Sequence, residues 1–302
     1  MASPGLQLQF SDSEMRLLQT LVYQECGMHF DSRRAHFLQD RLQRRLKECQ
    51  LDSFYSYYRL LISNEGKAEL AKLLENLTVN ETSFFRNKAQ LDLFHKHVLD
   101  DLLRKKQEAR DFSLRLWSAG CSTGQEPYTM AMLVADALSY HVLRNPSGQH
   151  DSALPKPLVP IPWKVEILAS DISYSVLRAG QEGAYTETQM SSVDYSYRLR
   201  HFDKVGERYA VKKALKDLVH FDFHNLKTEY LPQHNDVIFC RNVMMYFDEA
   251  EQKRLIAKFA RCLNPAGYLF VGHAESLLGL TDKFNMIYRE TGTAYQKIEV
   301  TQ

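Results

Sequence analysis

The chain has 302 residues, of which 44% are hydrophobic and 25% are charged, a composition typical of a folded globular protein rather than a disordered or fibrous one. The 38 lysines and arginines almost cancel the 37 aspartates and glutamates, so the net charge does not indicate nucleic acid or a membrane surface as the main partner. The five cysteines are scattered, and none lies in a CxxC pair, which indicates reduced thiols. Without a signal-peptide pattern or a run of 18 apolar residues, we expect a cytoplasmic protein with no segment inserted in a membrane.

The first 77 residues carry only helical signals and predict an all-α N-terminal domain. Residues 11–14 form a capping-box pattern, and Gly27 is a natural end for the helix that follows. Apolar residues recur at helical spacing over 31–49 and predict a second helix. Two further helices are expected, one capped by Asp52 and one over 69–77.

The second predicted helix is basic. Residues 31–50 contain six arginines and lysines against three aspartates and glutamates, six minus three giving a net charge of +3. Arg34, Arg41 and Arg45 share one flank of this helix. Such a flank is either simply solvated or used to dock a partner, and the residues alone leave both interpretations open.

From residue 113 the pattern changes to strands that alternate with helices. The first strand, 114–119, is followed by the loop Gly120-Cys-Ser-Thr-Gly124 and a helix. Two more strands, 163–169 and 236–240, are each followed by a helix as well. This alternation predicts an α/β domain with a mostly parallel sheet covered on both faces. We place this domain at 113–302, with residues 78–112 as the connection to the helical domain.

Two segments depart from the alternation. Residues 145–162 are rich in proline and polar side chains, which predicts a surface excursion without a catalytic role. Residues 195–223 contain short alternating segments around Gly206 and predict a small antiparallel β-subdomain on the main sheet.

The loop after the first predicted strand is a candidate ligand site. In open α/β sheets, ligands bind outside the carboxyl ends of the strands, where small residues let the backbone come close. The loop 120–124 matches neither GxGxxG nor GxxxxGK[ST], which favours an adenosyl ligand without phosphates over a nucleotide. Asp171, at the end of the second strand, could accept both hydroxyls of a ribose. The alternatives are that the loop is only a tight turn and that Asp171 only caps the next helix.

Five segments of the chain resemble, in order, the motifs of the chemoreceptor glutamate methyltransferase (CheR) family. They are Asn80-Glu-Thr-Ser-Phe-Phe-Arg86, Ala119-Gly-Cys-Ser-Thr-Gly-Gln-Glu-Pro-Tyr128, Ala169-Ser-Asp171, Phe239-Cys-Arg-Asn-Val-Met-Met-Tyr-Phe-Asp248 and Gly267-Tyr-Leu-Phe-Val-Gly-His-Ala-Glu-Ser276. The resemblance covers nearly the whole chain. It implies a Rossmann-like S-adenosylmethionine (SAM)-dependent methyltransferase sheet with a small antiparallel β-subdomain, preceded by an all-α N-terminal domain.

The resemblance also implies which residues form the site. SAM is the expected cofactor, S-adenosylhomocysteine (SAH) is the expected product, and no metal is expected. Arg86 and Tyr246 are linked to catalysis. The residues expected to contact the cofactor are Asn80, Thr82, Arg86, Glu126, Asp171, Asn225, Leu226, Asn242 and Val243.

The acceptors that the resemblance implies are glutamate side chains on the cytoplasmic methylation helices of chemoreceptors, modified for sensory adaptation. In the related family the basic helix faces this acidic region, which favours docking by Arg34, Arg41 and Arg45. Residues 202–209 are short and contain one glycine, whereas members that bind a C-terminal receptor pentapeptide have a longer, glycine-richer loop, so we expect a member that does not use this tether. Two alternatives are the same chemistry on another acceptor and a catalytically silent binding module.

Overall fold

The computed structural model describes residues 10–31, 34–144, 158–290 and 292–299. Its helices are α1 (Asp12–Cys26), α2 (Ala35–Glu48), α3 (Phe54–Leu61), α4 (Lys67–Leu77), α5 (Lys88–Leu93), α6 (Leu99–Glu108), α7 (Gln125–Arg144), α8 (Tyr174–Glu182), α9 (Tyr195–His201), α10 (Lys213–Lys216) and α11 (Glu249–Cys262). Its strands are β1 (Ser113–Ala119), β2 (Lys164–Asp171), β3 (Ala184–Thr186), β4 (Phe202–Val205), β5 (Arg208–Val211), β6 (Val219–Phe223), β7 (Asn235–Cys240), β8 (Leu263–Val271), β9 (Phe284–Arg289) and β10 (Gly292–Lys297). A π-helical segment, Phe94–Val98, joins α5 to α6, and a 3₁₀ turn, Met244–Tyr246, follows β7.

Helices α1 to α4 form a unit with its own hydrophobic core. The predicted capping box is confirmed, because Glu14 N donates to Ser11 Oγ and Ser11 N donates to Glu14 Oε2. Gly27 ends α1 in the left-handed conformation, with φ +79°. The expected cap at Asp52 is wrong, since the neighbouring Ser53 caps α3 through its hydroxyl. The core residues that are fully buried are Leu18, Val22, Leu38, Leu42, Leu46, Tyr57, Leu73 and Leu77.

The second part is built on a seven-stranded sheet in the order β6-β2-β1-β7-β8-β10-β9. The first five strands in this order are parallel, and β10 runs antiparallel to both β8 and β9. Alternate residues face opposite cores: Leu116 packs with residues of α7, whereas Trp117 packs with residues of α11. The expected mostly parallel sheet, covered on both faces, is therefore confirmed.

A separate three-stranded antiparallel sheet has the order β3-β5-β4. Val205 pairs with Arg208, so Gly206 and Glu207 form a two-residue turn between β4 and β5. Residues 219–223 do not belong to this sheet, which corrects the expected extent of the β-subdomain, 195–223. They form β6 and pair in parallel with 167–171 of β2 on the main sheet. A partner so far away in sequence leaves no signal in a short alternating segment.

Most of the proline-rich segment lies outside the described residues, which resume at 158. Among the residues that are described, no helix is both long and apolar enough to span a membrane.

Candidate functional site

The carboxyl ends of β1, β2 and β7 open onto a cleft of about 860 Å³, counting the space at its mouth. The cleft is also lined by Cys26 and Met28 from the helical unit and by the connection after α4. The structure brings to this cleft all ten residues that the resemblance assigned to the cofactor or to catalysis, namely Asn80, Thr82, Arg86, Glu126, Asp171, Asn225, Leu226, Asn242, Val243 and Tyr246.

The loop after β1 needs a glycine at position 120 because the loop after β7 passes close to its backbone. Gly120 has a φ of +84°, and a Cβ at this position would lie 2.4 Å from Val243 Cγ2, far inside van der Waals contact. The backbone N–H groups of Gly120 and Cys121 both donate to Ser170 O, at 2.8 and 2.9 Å. The glycine thus lets the loops after β1 and β7 meet at the floor of the cleft.

Asp171 is almost completely buried at the end of β2, with 8% of its surface exposed. Its Oδ2 accepts a hydrogen bond from Ser122 N at 2.9 Å, and its Oδ1 accepts one from Ser173 N at 3.0 Å. Burial raises the pKa of the carboxyl, and it outweighs the backbone hydrogen bonds, which lower the pKa. The negative charge of Glu75 raises it further. A buried carboxylate held in one orientation is suited to accept ligand hydroxyl groups.

The connection between the two units carries Arg86 and is anchored by two phenylalanines. Phe84 is fully buried and packs edge-on against Tyr185 and Phe202 of the small sheet, at ring-centroid distances of 4.8 and 5.5 Å. The backbone N–H of Phe85 donates to Thr129 Oγ1 at 3.2 Å. Arg86 itself donates through Nη1 to Glu81 O at 2.8 Å. These contacts hold the guanidinium group at the wall of the cleft.

Tyr246 ends the 3₁₀ turn after β7, and its backbone oxygen accepts a hydrogen bond from His29 N at 2.8 Å. Its hydroxyl lies 3.5 Å from Val79 O. Burial raises the pKa of the phenol and outweighs the charges of Arg34 and Arg86, which lower it. Tyr246 therefore stays protonated at neutral pH and can donate a hydrogen bond.

Two further residues organise the site although the sequence interpretation gave them no role. Arg241 is buried, and its Nε donates to Glu126 Oε2 at 2.8 Å while its Nη1 donates to Arg86 O at 2.9 Å. Ser118 Oγ donates to the other oxygen of Glu126 at 2.7 Å. Glu275 is bound by the backbone of the loop after β7. Arg241 and Glu275 both lie within segments that resemble the family motifs. This is the only signal in the sequence that could have indicated a role for them.

The loop after β6 touches the helical unit. Asn225 Nδ2 donates to Glu25 O at 2.7 Å, and Asn225 Oδ1 accepts from Lys227 N at 3.0 Å. The ammonium group of Lys227 contacts Tyr23 O and lies 4.6 Å from the centre of the Tyr23 ring. The side-chain amide of Asn225 therefore links this loop to the C-terminus of α1.

The three arginines expected to dock a partner differ in their surroundings. Arg34 lies with its guanidinium carbon 5.6 Å from the centre of the Tyr246 ring, and that of Arg41 lies 4.9 Å from the centre of the Phe37 ring. Both are partly exposed. Arg45 is buried, with 6% exposed, and forms an ion pair with Glu69. The expectation of a docking role for Arg45 is wrong, because its charge is already neutralised inside the helical unit.

The donor set of the cleft fits an adenosyl cofactor with a positively charged sulfonium group. Among the described residues that line it, the cations are Arg86 and Arg241, and Arg241 is paired with Glu126. Asp171 and Glu81 add negative charge to the lining, which suits a cationic ligand rather than a phosphate group. The described part of the chain has no group of three or more potential metal-ligating side chains. The fold and the charges of the cleft are those expected of a SAM-dependent methyltransferase.

Comparison with known proteins identifies the family. The family described as "CheR methyltransferase, SAM binding domain" matches residues 80–144 and 158–293, and "CheR methyltransferase, all-alpha domain" matches 13–78. A chemotaxis protein methyltransferase of Borreliella burgdorferi is 31% identical over 278 residues, which are 91% of this chain and 92% of the relative. The enzymes of the same name from Salmonella typhimurium and Escherichia coli are each 32% identical over 285 residues, which are 92% of this chain and 89% and 90% of the relatives. The chain belongs to the CheR methyltransferase family, and its cofactor is SAM.

Proposed function

We propose that this protein transfers the methyl group of SAM to glutamate side-chain carboxylates on the cytoplasmic methylation helices of chemoreceptors. The products are glutamate methyl esters and SAH, and the role is sensory adaptation. The names of the relatives, chemotaxis protein methyltransferases, support this proposal. The observation that carries it is the placement of Arg86 and Tyr246 on one cleft with Asp171, because together they supply groups for an acceptor carboxylate and for the cofactor.

The reaction mainly requires that the acceptor carboxylate be oriented towards the methyl group of SAM. A glutamate side chain has an ordinary pKa of about 4.3 and is already ionised at neutral pH, so the transfer needs no general base. SAM supplies the methyl group, and an aligned approach of the carboxylate can lower the barrier by roughly 7–11 kcal/mol. Arg86 and the protonated Tyr246 hold and align this carboxylate. Contacts that were too strong would stabilise the ground state as well and slow the transfer.

The roles of the cofactor contacts follow from their positions. Asp171 holds the ribose hydroxyls, and the connection with Asn80, Thr82 and Arg86 closes over the methionine part. Glu126, fixed by Ser118 and Arg241, presents negative charge towards the cationic part of the cofactor. Asn225 and Leu226 lie along the adenosyl part, and Asn242 and Val243 form the floor.

We assign receptor docking to residues 1–77. Arg34 and Arg41 are the partly exposed cations of the basic flank that would take part. Such charges at the rim of an interface mainly change the association rate and the salt dependence. The two-residue turn between β4 and β5 leaves a short hairpin, which supports methylation without a pentapeptide tether.

Transfer of labelled methyl from SAM to receptor cytoplasmic fragments tests the proposed function. We expect alkali-labile methanol from fragments with their methylation-site glutamates and none from fragments in which those glutamates are replaced by alanine. Fragments with and without their C-terminal pentapeptide should be methylated at similar rates. SAH binding without transfer to any receptor fragment would show that the acceptor is another molecule or that the protein is a silent sensor.

Asp171 should make cofactor affinity depend on pH. The pKa of its carboxyl is raised by burial, and ribose hydroxyls are bound best by the ionised form. The affinity for SAH is therefore expected to be highest above this raised pKa and to fall as the pH is lowered through it. The Asp171→Asn variant should bind SAH about tenfold more weakly at neutral pH, without that fall.

Isothermal titration calorimetry with SAH, from about pH 8 down to the ordinary aspartate pKa of about 3.9, measures both effects. Asp203→Asn is a matched control, because Asp203 is an exposed aspartate on β4, in the small sheet and outside the cleft lining. Equal SAH affinity in the Asp171→Asn variant and the parent would contradict the assignment of the ribose to Asp171.

A further inference from the structure

Glu275 joins two loops of the cleft through one carboxylate. It follows β8, and its Oε2 accepts hydrogen bonds from Gly272 N at 2.6 Å and from Asn242 N at 3.0 Å. Its Oε1 accepts one from Met245 N at 3.1 Å. One carboxylate thus binds both ends of the segment 242–245 and ties them to the loop after β8.

The two oxygens of Glu275 serve different ends of this segment. Oε2 fixes Asn242, which lines the cleft beside Val243, the residue in contact with the loop after β1. Oε1 fixes Met245, the immediate neighbour of Tyr246. The division separates the cofactor side of the turn from the side that carries the phenol.

The segment needs such an anchor because its backbone is constrained. Asn242 has a φ of +61°, in the left-handed region that a non-glycine residue adopts at some cost. Gly272 leaves room for the carboxylate, since a Cβ there would lie 2.8 Å from Glu275 Oε2 and 2.9 Å from Asn242 N. Hydrogen bonds from backbone N–H groups to an ionised acceptor are among the stronger ones in proteins, so Glu275 can hold this conformation.

We propose that Glu275 is a positioning residue for methyl transfer, whose Oε2 sets the cofactor contacts of Asn242 and Val243 and whose Oε1 sets the hydroxyl of Tyr246. The second half of this statement rests on the proposed function, in which Tyr246 orients the acceptor carboxylate. The first half concerns the cofactor alone.

Substitutions at Glu275 separate the two halves. In Glu275→Gln, the single amide oxygen can keep both hydrogen bonds of Oε2, but the amide NH₂ group cannot accept from Met245 N. The affinity for SAH should stay within about threefold of the parent, while kcat falls about tenfold, the effect of losing one charge-assisted hydrogen bond. Glu275→Ala removes all three acceptors, so SAH affinity and kcat should both fall about tenfold or more.

The measurements are SAH dissociation constants by calorimetry, kcat and KM for a receptor fragment, and melting temperatures. Glu249→Gln is the control, because this exposed carboxylate at the start of α11 pairs only with Lys253 among its described neighbours. Equal losses of SAH affinity and kcat in Glu275→Gln, or parental SAH affinity in a folded Glu275→Ala, would overturn the proposal. SAH binding requires no acceptor. A parent protein that methylates no receptor fragment would therefore overturn the proposed function, but the SAH affinities of the Glu275 variants would still decide the part of the proposal that concerns the cofactor.

Discussion

Methyl transfer by the Arg86→Ala variant is expected to be about 100-fold slower than by the parent, which is the typical effect of removing one preorganised donor from an active site. Arg86 is held in place by its bond to Glu81 O and by the buried Phe84 beside it. The reacting groups therefore meet an oriented guanidinium rather than a mobile one. Arg86→Lys should recover only part of the rate, because an ammonium group keeps the charge but not the planar pair of donors.

The measurement is kcat and KM for a receptor fragment, together with the affinity for SAH. Arg104→Ala is the control, since Arg104 is an exposed arginine on α6 that pairs with Asp101 and Glu108, away from the cleft. Parental kcat in Arg86→Ala would show that the acceptor carboxylate is oriented by other groups. Loss of SAH affinity without loss of kcat at saturating cofactor would place Arg86 on the cofactor alone.

Strand geometry could predict only the part of the site that lies at the ends of strands, whereas Asn80, Thr82 and Arg86 of the connection were expected only from the family resemblance. Parallel strands present their carboxyl ends at one edge of the sheet, so Gly120 after β1, Asp171 at the end of β2 and Asn242 after β7 had to meet there. The structure places all three on one cleft. The capping box of α1 was equally predictable, since it depends on two residues three positions apart.

Features that depend on distant partners could not be predicted in the same way. Residues 219–223 join the main sheet through a partner strand about 50 residues earlier in the chain, and their short alternation fits either sheet. Arg241 and Glu275 gain their roles from Glu126 and from the loop 242–245, contacts that exist only once the sheet is formed. Which arginine of a basic flank is buried also depends on where the next helices pack.

Arg45 shows the consequence of such packing, and its replacement by alanine is expected to lower the free energy of unfolding by about 3–5 kcal/mol. Its Nε donates to Glu69 Oε1 at 2.8 Å, Tyr57 hydroxyl donates to the same oxygen at 2.8 Å, and Arg45 and Glu69 are 6% and 9% exposed. Alanine would leave the Glu69 carboxylate buried without a cation, with only the hydrogen bond from Tyr57 named above. Urea denaturation followed by circular dichroism measures the change, which is a large share of the stability of a typical domain.

The pH dependence of this loss has a definite sign. Burial alone would raise the pKa of Glu69, but the hydrogen bonds from Arg45 and Tyr57 outweigh it and lower the pKa. In the parent, the stabilisation is present above the unfolded pKa of about 4.3 and is lost as the pH falls through the lower folded pKa. In Arg45→Ala, the unpaired carboxyl favours its protonated form, so the difference between variant and parent should shrink as the pH falls.

Arg41→Ala is the matched substitution on the same flank, and it separates docking from stability. Arg41 is partly exposed against Phe37, so its loss should change the free energy of unfolding by no more than about 0.5 kcal/mol. It should slow association with receptor fragments most at low salt.

The double variant Arg45→Met, Glu69→Gln removes both charges but keeps an acceptor for Tyr57, and it should regain most of the stability lost in Arg45→Ala. Equal stability of the Arg45→Ala and Arg41→Ala variants would contradict the assignment of Arg45 to a buried ion pair, and unchanged association in Arg41→Ala would contradict docking by this flank.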